Sequence, residues 1–455
     1  MTLARRTEIG ASSHLLKVGG KSIILDAGMH PKGRGLEAQP EYQRVPEGSV
    51  DAIVVTHAHQ DHIGSLPVLT RREQEARVFM SEGTFRIGEM MLRNSVNVMT
   101  RQREEEGLTE YPLFTHRGID FSKQMWSMIP AGRQFTLDGE RGRGDGFEPT
   151  VELYHAGHIL GSSGVLVRGE GKSVFYTGDV NFDDQTLMQG AEFPEEGVDT
   201  LIMETTRGDS PSAEGFTRKG EERRFIDAIE EAFERGGSVT IPVFALGKTQ
   251  EVLAILWEAQ KRGRLRGVPL YIGGLSTKIT TAYDRLAESP DRSHNSLQLL
   301  SAMSPYVMSG PDAHTLAMRD GCIFAISSGM MTENTLSNKF VRKVLPDPRQ
   351  SLFFVGYSDP DSPAGKVRVA KSGDSVLLDK RLPEVELNCD VQEFNFSAHA
   401  PRERILEYAV RLRPKRIVLV HGDPPAVEWF RSQLVAALPE TEVVLPDPGG
   451  ATMPL

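Results

Sequence analysis

The sequence predicts an α/β protein in which one α/β domain is inserted into another. Short apolar runs rich in β-branched residues recur along the chain, and after about residue 208 they alternate with helical patterns, which is typical of a parallel sheet. Polar residues that suit one site stand on both sides of a stretch far longer than a loop, and domain insertion explains this most simply. We expect the first domain over residues 1–207 and 391–455 and the inserted domain over residues 208–390.

The composition is that of a globular protein with more than one domain. The chain has 455 residues, of which 25% are charged and 39% hydrophobic, and its formal net charge is −10. That charge argues against a generic basic coat for nucleic acid, although it does not exclude a local basic cleft. Two cysteines, Cys322 and Cys389, do not support a disulfide framework. No stretch is apolar enough for a signal peptide or a membrane span, so we expect a cytoplasmic protein without a membrane partner.

The densest group of reactive side chains follows the apolar run at residues 51–55. It holds three histidines and a carboxylate: His57, His59, Asp61 and His62. A strand would hold His57 and His59 on the same side, because side chains two residues apart point the same way. Nitrogen and carboxylate ligands together suit zinc, with manganese or iron as the next choices. A coincidental histidine-rich turn is the alternative interpretation.

Further polar residues stand at the ends of other predicted strands. His158 is bracketed by glycines, which allow close backbone approach, and His421 ends a buried strand. Asp179 follows a strand and a Thr-Gly pair, where a carboxylate could bridge two metals with its two oxygens. Asp26 closes an early strand, where it would either orient a ligand histidine or cap a turn.

Strand and helix patterns alternate in the predicted inserted domain. The strands are expected at residues 238–244, 268–272, 322–326 and 352–357, with a helix at 249–260. This alternation predicts a parallel sheet whose loops gather at the carboxyl ends of its strands.

Taken together, these motifs resemble the metallo-β-lactamase fold and, more narrowly, its β-CASP nuclease branch. The resemblance is carried by the residues named above, with Glu204, the segment Ser397-Ala398-His399-Ala400, and the stretches 241–251 and 328–331. It extends from about Ile9 to Asp423. It implies a metallo-β-lactamase αββα sandwich with an inserted parallel-sheet β-CASP domain.

The resemblance also implies roles for individual residues. The first ligand set would hold one ion and consists of His57, His59 and His158. The second ligand set would hold the other ion and consists of Asp61, His62 and His421. Asp179 would bridge the two ions. The implied catalytic residues are Asp61, Glu204 and His399. His399 would protonate the leaving oxygen, and Glu204 would hold the His399 ring in place. A structural histidine that caps its helix is the alternative for His399.

Four further residues are implied to hold substrate phosphates through hydroxyl and backbone N–H groups: Ser397, Ser327, Ser328 and Gly329. The chain departs from the branch at Thr205-Thr206-Arg207, where a small residue followed by an aromatic one is commoner.

The implied function is a zinc-dependent phosphodiesterase that hydrolyses RNA with water activated by two metal ions. The expected cofactors are two Zn²⁺ ions, with Mn²⁺ as a substitute, and the expected partner is single-stranded RNA. A DNA exonuclease of the same family is the alternative. A small-molecule hydrolase of the plain metallo-β-lactamase type and an inactive scaffold subunit are weaker alternatives, because of the insertion and the complete ligand sets. A homodimer, and whether cutting is internal or from an end, are left open.

Overall fold

The computed structural model describes residues 1–6, 8–142, 148–308 and 319–447. The chain divides into two compact units. The first unit comprises Met1–Asp184, Gln189–Ser212 and His399–Leu455, and the second comprises Gln185–Met188 and Ala213–Ala398. The domain boundaries expected after residues 207 and 390 stay predictions.

In the described residues, besides two short 3-10 helices between the second and third strands, the chain of the first unit begins with ten strands and four α-helices. They are, in order, β1 (His14–Val18), β2 (Lys21–Leu25), β3 (Ala52–Val54), α1 (Gln60–Ile63), α2 (Leu66–Arg72), β4 (Arg77–Met80), α3 (Glu82–Glu106), α4 (His116–Lys123), β5 (Trp126–Met128), β6 (Gln134–Thr136), β7 (Thr150–His155), β8 (Ser163–Gly169), β9 (Lys172–Tyr176) and β10 (Thr200–Glu204). The long helix α3 begins where Ser81 accepts a hydrogen bond from Thr84 N and ends at Gly107, whose φ of 72° suits glycine.

The second unit follows with helices and strands in alternation. They are α5 (Arg218–Glu234), β11 (Val239–Pro242), α6 (Lys248–Lys261), β12 (Leu270–Gly273), α7 (Leu275–Arg285), α8 (Leu299–Met303), β13 (Tyr306–Met308), β14 (Ile323–Ile326), α9 (Leu336–Val344), β15 (Ser351–Phe354), α10 (Pro363–Val369), β16 (Ser375–Val376), β17 (Val385–Glu386) and β18 (Asp390–Glu393). The chain then returns to the first unit with α11 (Arg402–Leu412), β19 (Arg416–Val420), α12 (Pro424–Ala437) and β20 (Glu442–Val444).

Two sheets of the first unit pack face to face. One has the strand order β1-β2-β3-β4-β5 and the other β20-β19-β10-β9-β8-β7-β6. Side chains from both sheets fill the space between them, among them Leu25 and Val54 from one and Val165 from the other. Helices cover the outer faces, where Leu92 of α3 and Phe430 of α12 are fully buried. These four layers confirm the predicted αββα architecture.

The second unit contains a six-stranded sheet of order β13-β12-β14-β11-β15-β18, in which every pairing is parallel. This confirms the predicted parallel sheet, and α6 lies where a helix was expected. Within the described part of the chain, no helix is long and apolar enough to cross a membrane.

Strand register brings distant parts of the first unit to one edge of its second sheet. The parallel strands β9, β10 and β19 are paired so that Ile202 lies opposite Tyr176 and Glu204 lies opposite Val420. Because parallel strands end at the same edge, the residues that follow β9 and β19 lie close to the end of β10. This edge holds Asp179, Glu204 and His421.

Candidate metal centre

The histidine-rich motif lies in a turn rather than on a strand. β3 ends at Val54, so the expectation that His57 and His59 share one side of a strand is wrong. The physical reason is a change of hydrogen-bond partner: Thr56 N donates to the side-chain oxygen Oδ1 of Asp26 at 2.7 Å, not to a neighbouring strand. The turn nevertheless brings the ring nitrogens of the two histidines to 3.1 Å from each other.

The first predicted ligand set is brought together. His59 Nδ1 lies 3.1 Å from His57 Nε2 and 3.0 Å from His158 Nε2. Asp179 Oδ2 lies 3.5 Å from His57 Nε2 and 3.6 Å from His158 Nε2. Beside His158, Gly157, whose φ is 68°, allows the backbone at Asn181 to approach closely, since a Cβ there would lie 2.2 Å from Asn181 O. The glycine next to His158 therefore has the role that the sequence predicted.

The second predicted set is also brought together. Asp61 and His62 lie on the short helix α1, and His421 follows β19. His421 Nε2 lies 3.2 Å from Asp61 Oδ2 and 3.3 Å from His62 Nε2. Asp179 joins this set through its other oxygen, because Oδ1 lies 3.3 Å from His62 Nε2. Within each set, the candidate ligand atoms all lie within 4.8 Å of one another.

These donor atoms fit divalent cations. Four tetrahedral ligands at about 2.0–2.1 Å from a zinc ion lie about 3.3 Å apart, and the observed spacings of 3.0 to 3.6 Å in the first set agree with this. The Oδ1 atom of Asp179 is buried and accepts no hydrogen bond from the described residues. A buried carboxylate oxygen in that state is costly unless a cation neutralises it.

The pKa shifts of the clustered side chains also favour a bound cation. Burial alone would raise the pKa of Asp179, but the neighbouring His421 and His62 hold that pKa well below its usual range. Burial, with His62 nearby, holds the pKa of His57 well below its usual value, so His57 is neutral and able to donate a lone pair. Burial would lower the pKa of His62 as well, yet Asp179, Asp26 and Asp61 raise it. The carboxylates thus attract positive charge, which a bound cation would supply in place of a proton.

Asp26 makes a contact that fits each of its two predicted roles, because it orients His62 and also accepts a hydrogen bond from Thr56 N in the turn after β3. It is fully buried, and its Oδ2 lies 2.8 Å from Nδ1 of His62. Tyr176 OH and Thr56 Oγ1 each donate to the same oxygen at 2.9 Å, and Thr56 N donates to the other oxygen, Oδ1. With Nδ1 engaged, His62 presents Nε2 to the second set.

Substituting Asp26→Asn is expected to weaken metal binding by about 10- to 100-fold, because an amide NH₂ would face donors and His62 would lose its acceptor. Competition with a chromophoric chelator measures this change. The matched control Tyr176→Phe removes one donor to the same carboxylate and should have a smaller effect. A folded Asp26→Asn protein with wild-type metal affinity would show that Asp26 does not position His62.

Thr206 was not predicted as part of the site. Its Oγ1 lies 3.0 Å from Nδ1 of His421, so it supports this ligand as Asp26 supports His62. His421 itself has a φ of 51°, in the left-handed region that residues with side chains rarely adopt. The position of Thr206 two residues after Glu204 was the only signal available in the sequence.

Glu204 and His399 form a hydrogen-bonded pair beside the first ligand set. Nδ1 of His399 lies 3.1 Å from Oε2 and 3.2 Å from Oε1 of Glu204. The carboxylate is buried and also accepts a hydrogen bond from Val180 N at 2.6 Å. The opposite nitrogen of His399, Nε2, lies 4.0 Å from Asp179 Oδ2, and its ring lies 4.5 Å from that of His158. Burial would lower the pKa of His399, but Glu204 and the other carboxylates raise it.

The four predicted phosphate contacts lie in the second unit. Ser327, Ser328 and Gly329 directly follow β14, where Ser327 Oγ donates to Gly273 O at 3.2 Å. Ser397 follows β18. Their contact with phosphate stays a prediction.

Three family models match successive parts of the chain. Residues 6–210 match the metallo-beta-lactamase superfamily, residues 249–367 the Beta-Casp domain, and residues 384–446 a Zn-dependent metallo-hydrolase RNA specificity domain. Glu204 lies in the first of these matched ranges and His399 in the last.

Curated relatives match nearly the whole chain. Cleavage and polyadenylation specificity factor subunit 3 of Dictyostelium discoideum is 28% identical over 459 residues, covering 97% of this chain and 55% of the relative. Endoribonuclease YSH1 of Saccharomyces cerevisiae is 27% identical over 449 residues, covering 96% and 56%. The chain thus spans about half the length of the curated relatives it matches.

Among solved structures, a protein of unknown function from Enterococcus faecalis V583 has the same fold. The TM-score is 0.56 at 14% identity, and the match covers 98% of this chain and 97% of the other.

Proposed function

Since the chain belongs to the metallo-β-lactamase superfamily, in the branch with a Beta-Casp domain, we propose that it is a metal-dependent nuclease that hydrolyses RNA. One feature of the site supports this most directly: Asp179 presents one oxygen to each of two ligand sets, beside the Glu204–His399 pair. Zinc suits the nitrogen and carboxylate donors of both sets, and we propose two zinc ions per chain. Such ions, when bound, lower the pKa of water and neutralise phosphate charge.

Glu204 and His399 together would supply the proton that the leaving oxygen needs. Glu204 accepts a hydrogen bond from Nδ1 of His399, which fixes the ring and directs Nε2 towards Asp179. The raised pKa of His399 keeps a proton on the ring near neutral pH. Nε2 is then placed to donate that proton to the leaving oxygen of a cleaved phosphodiester. A small ester needs no such pair, and this favours a nuclease over a small-molecule hydrolase.

RNA is proposed as the substrate because of the RNA specificity domain model and the names of the relatives. The relative from Saccharomyces cerevisiae is called an endoribonuclease, and we extend internal cleavage of RNA to this chain. We further propose that the RNA is single-stranded. Hydrolysis of DNA instead of RNA by the same residues is the alternative.

The test uses RNA and DNA of one sequence, each end-labelled, single-stranded or paired, together with a circular RNA. We expect cleavage of linear and circular single-stranded RNA, loss of cleavage with a chelator, and recovery with zinc or manganese. Cutting of DNA with RNA spared would overturn the proposed substrate. An intact circular RNA beside a degraded linear one would replace internal cleavage with cleavage from an end.

A further inference from the structure

Arg207 carries a positive charge that the described fold does not pair. It lies three residues after Glu204, beyond the end of β10, and its side chain is only partly exposed. Across the described residues, its guanidinium has neither a hydrogen bond nor an ion pair. Nearby Arg402 is different, because it donates to Gly208 O at 2.9 Å and lies 4.2 Å above the ring of Trp429.

The backbone around Arg207 is held firmly. Gly208 N donates to Thr205 O, and Ser210 N donates to the carbonyl of Arg207, both at 3.0 Å. A Cβ on Gly208 would lie 2.2 Å from the backbone oxygen of Ala426, so the turn packs closely against α12. Thr205 Oγ1 donates to Val420 O at 3.0 Å. The turn therefore fixes the origin of the arginine side chain next to the proposed catalytic pair.

The two carboxylates whose charges act on Arg207 are occupied elsewhere. Burial lowers the pKa of Arg207, whereas Glu403 and Glu204 raise it. Glu204 accepts from His399 and from a backbone N–H, while Glu403 accepts from the side chains of Arg402 and Ser212. The guanidinium nitrogens of Arg207 are reached by water, so its five N–H donors are open to an anion that arrives with the substrate.

We propose that Arg207 binds a phosphate of the RNA strand that flanks the cleaved bond on its leaving-group side. This rests on the proposed function. That side is indicated because Arg207 follows Glu204 at the end of β10, and Glu204 holds the histidine that protonates the leaving oxygen. The planar fork of arginine matches two phosphate oxygens at once, which a lysine ammonium does not. Arg207 would thus set the register of the strand at the site.

The experiment compares wild-type protein, Arg207→Gln and Arg207→Lys on RNAs in which one phosphate at a time is a neutral methylphosphonate. In wild-type protein, one position on the leaving-group side is expected to lower kcat/KM by about 10- to 100-fold, the size of a lost charged hydrogen bond. Arg207→Gln should lose a similar factor on unmodified RNA and be insensitive to methylphosphonate at that position. Arg207→Lys should fall between the two.

Arg431→Gln is the matched control, since it removes an exposed arginine that pairs with Glu428 at 2.6 Å. It should behave as wild type. Zinc content and circular dichroism should be unchanged in all variants. If Arg207→Gln is as sensitive as wild type at every position, the proposed phosphate contact is wrong.

A wild-type protein that cuts no RNA would contradict the proposed nuclease function, yet would still test Arg207. In that event the same uncut RNA is titrated by fluorescence anisotropy at increasing salt. A phosphate contact predicts that Arg207→Gln lowers the slope of log K against log salt by about 0.7, the value for one contact on a single strand. An unchanged slope overturns the contact independently of catalysis.

Discussion

Replacing Asp179 with asparagine is expected to lower RNA cleavage by on the order of 1,000-fold or more, a loss comparable to that of one strong electrostatic stabiliser in other active sites. Asp179 lies against both ligand sets, through Oδ2 at 3.5 Å from His57 and Oδ1 at 3.3 Å from His62. An amide at this position keeps the size of the side chain but removes its charge and one acceptor. Zinc content, measured by mass spectrometry of native protein, should fall together with the cleavage rate.

Asp199→Asn provides the control for Asp179→Asn. Asp199 is in the same unit but pairs with Lys415 at 2.7 Å instead of facing a histidine set. Its substitution should leave zinc content and cleavage near wild type. If Asp179→Asn retained two zinc ions and full cleavage, a shared carboxylate would not be needed and the mechanism would be wrong.

His399→Gln is expected to lower cleavage by about 100- to 10,000-fold while leaving zinc content unchanged, because His399 supplies a proton and is not in either ligand set. The pH profile provides a second readout. A general acid must be protonated, so the wild-type rate should fall as pH rises through the raised pKa of His399. The glutamine variant should lack that decline.

A substitution of Glu204, the hydrogen-bond partner of His399, provides the comparison with His399→Gln. Glu204→Gln keeps an oxygen for Val180 N but loses the charge that raises the pKa of His399, so the alkaline decline should move to lower pH. Loss of zinc in His399→Gln would assign it to metal binding instead. Unchanged turnover in both variants would remove the pair from the mechanism.

Much of the site was predictable because its residues occupy positions that sequence patterns mark clearly. His57, His62 and Asp179 follow apolar runs that end in polar segments, and strands of this kind place such residues at a sheet edge. Asp26 could be suspected for the same reason, although the sequence alone did not distinguish orientation of a histidine from a turn cap.

What could not be predicted depends on contacts between residues far apart in the chain. Tyr176 reaches Asp26, and Thr206 reaches His421, across separations that no local pattern encodes. The place where β3 ends was also missed, since a side-chain carboxylate competes there for a backbone N–H that a strand pattern assigns to a neighbouring strand. The unpaired state of Arg207 is likewise visible only once its surroundings are known.

The placement of His421 has a consequence for the newly made chain. The first ligand set and Asp179 are synthesised before the main segment of the second unit, whereas His421 emerges only after it. It arrives directly after β19, which pairs with β10, and β20 then adds to the outer side of β19. A growing chain therefore possesses one complete ligand set long before the other. The full centre, and with it the proposed cutting activity, is therefore delayed until the second unit has been synthesised.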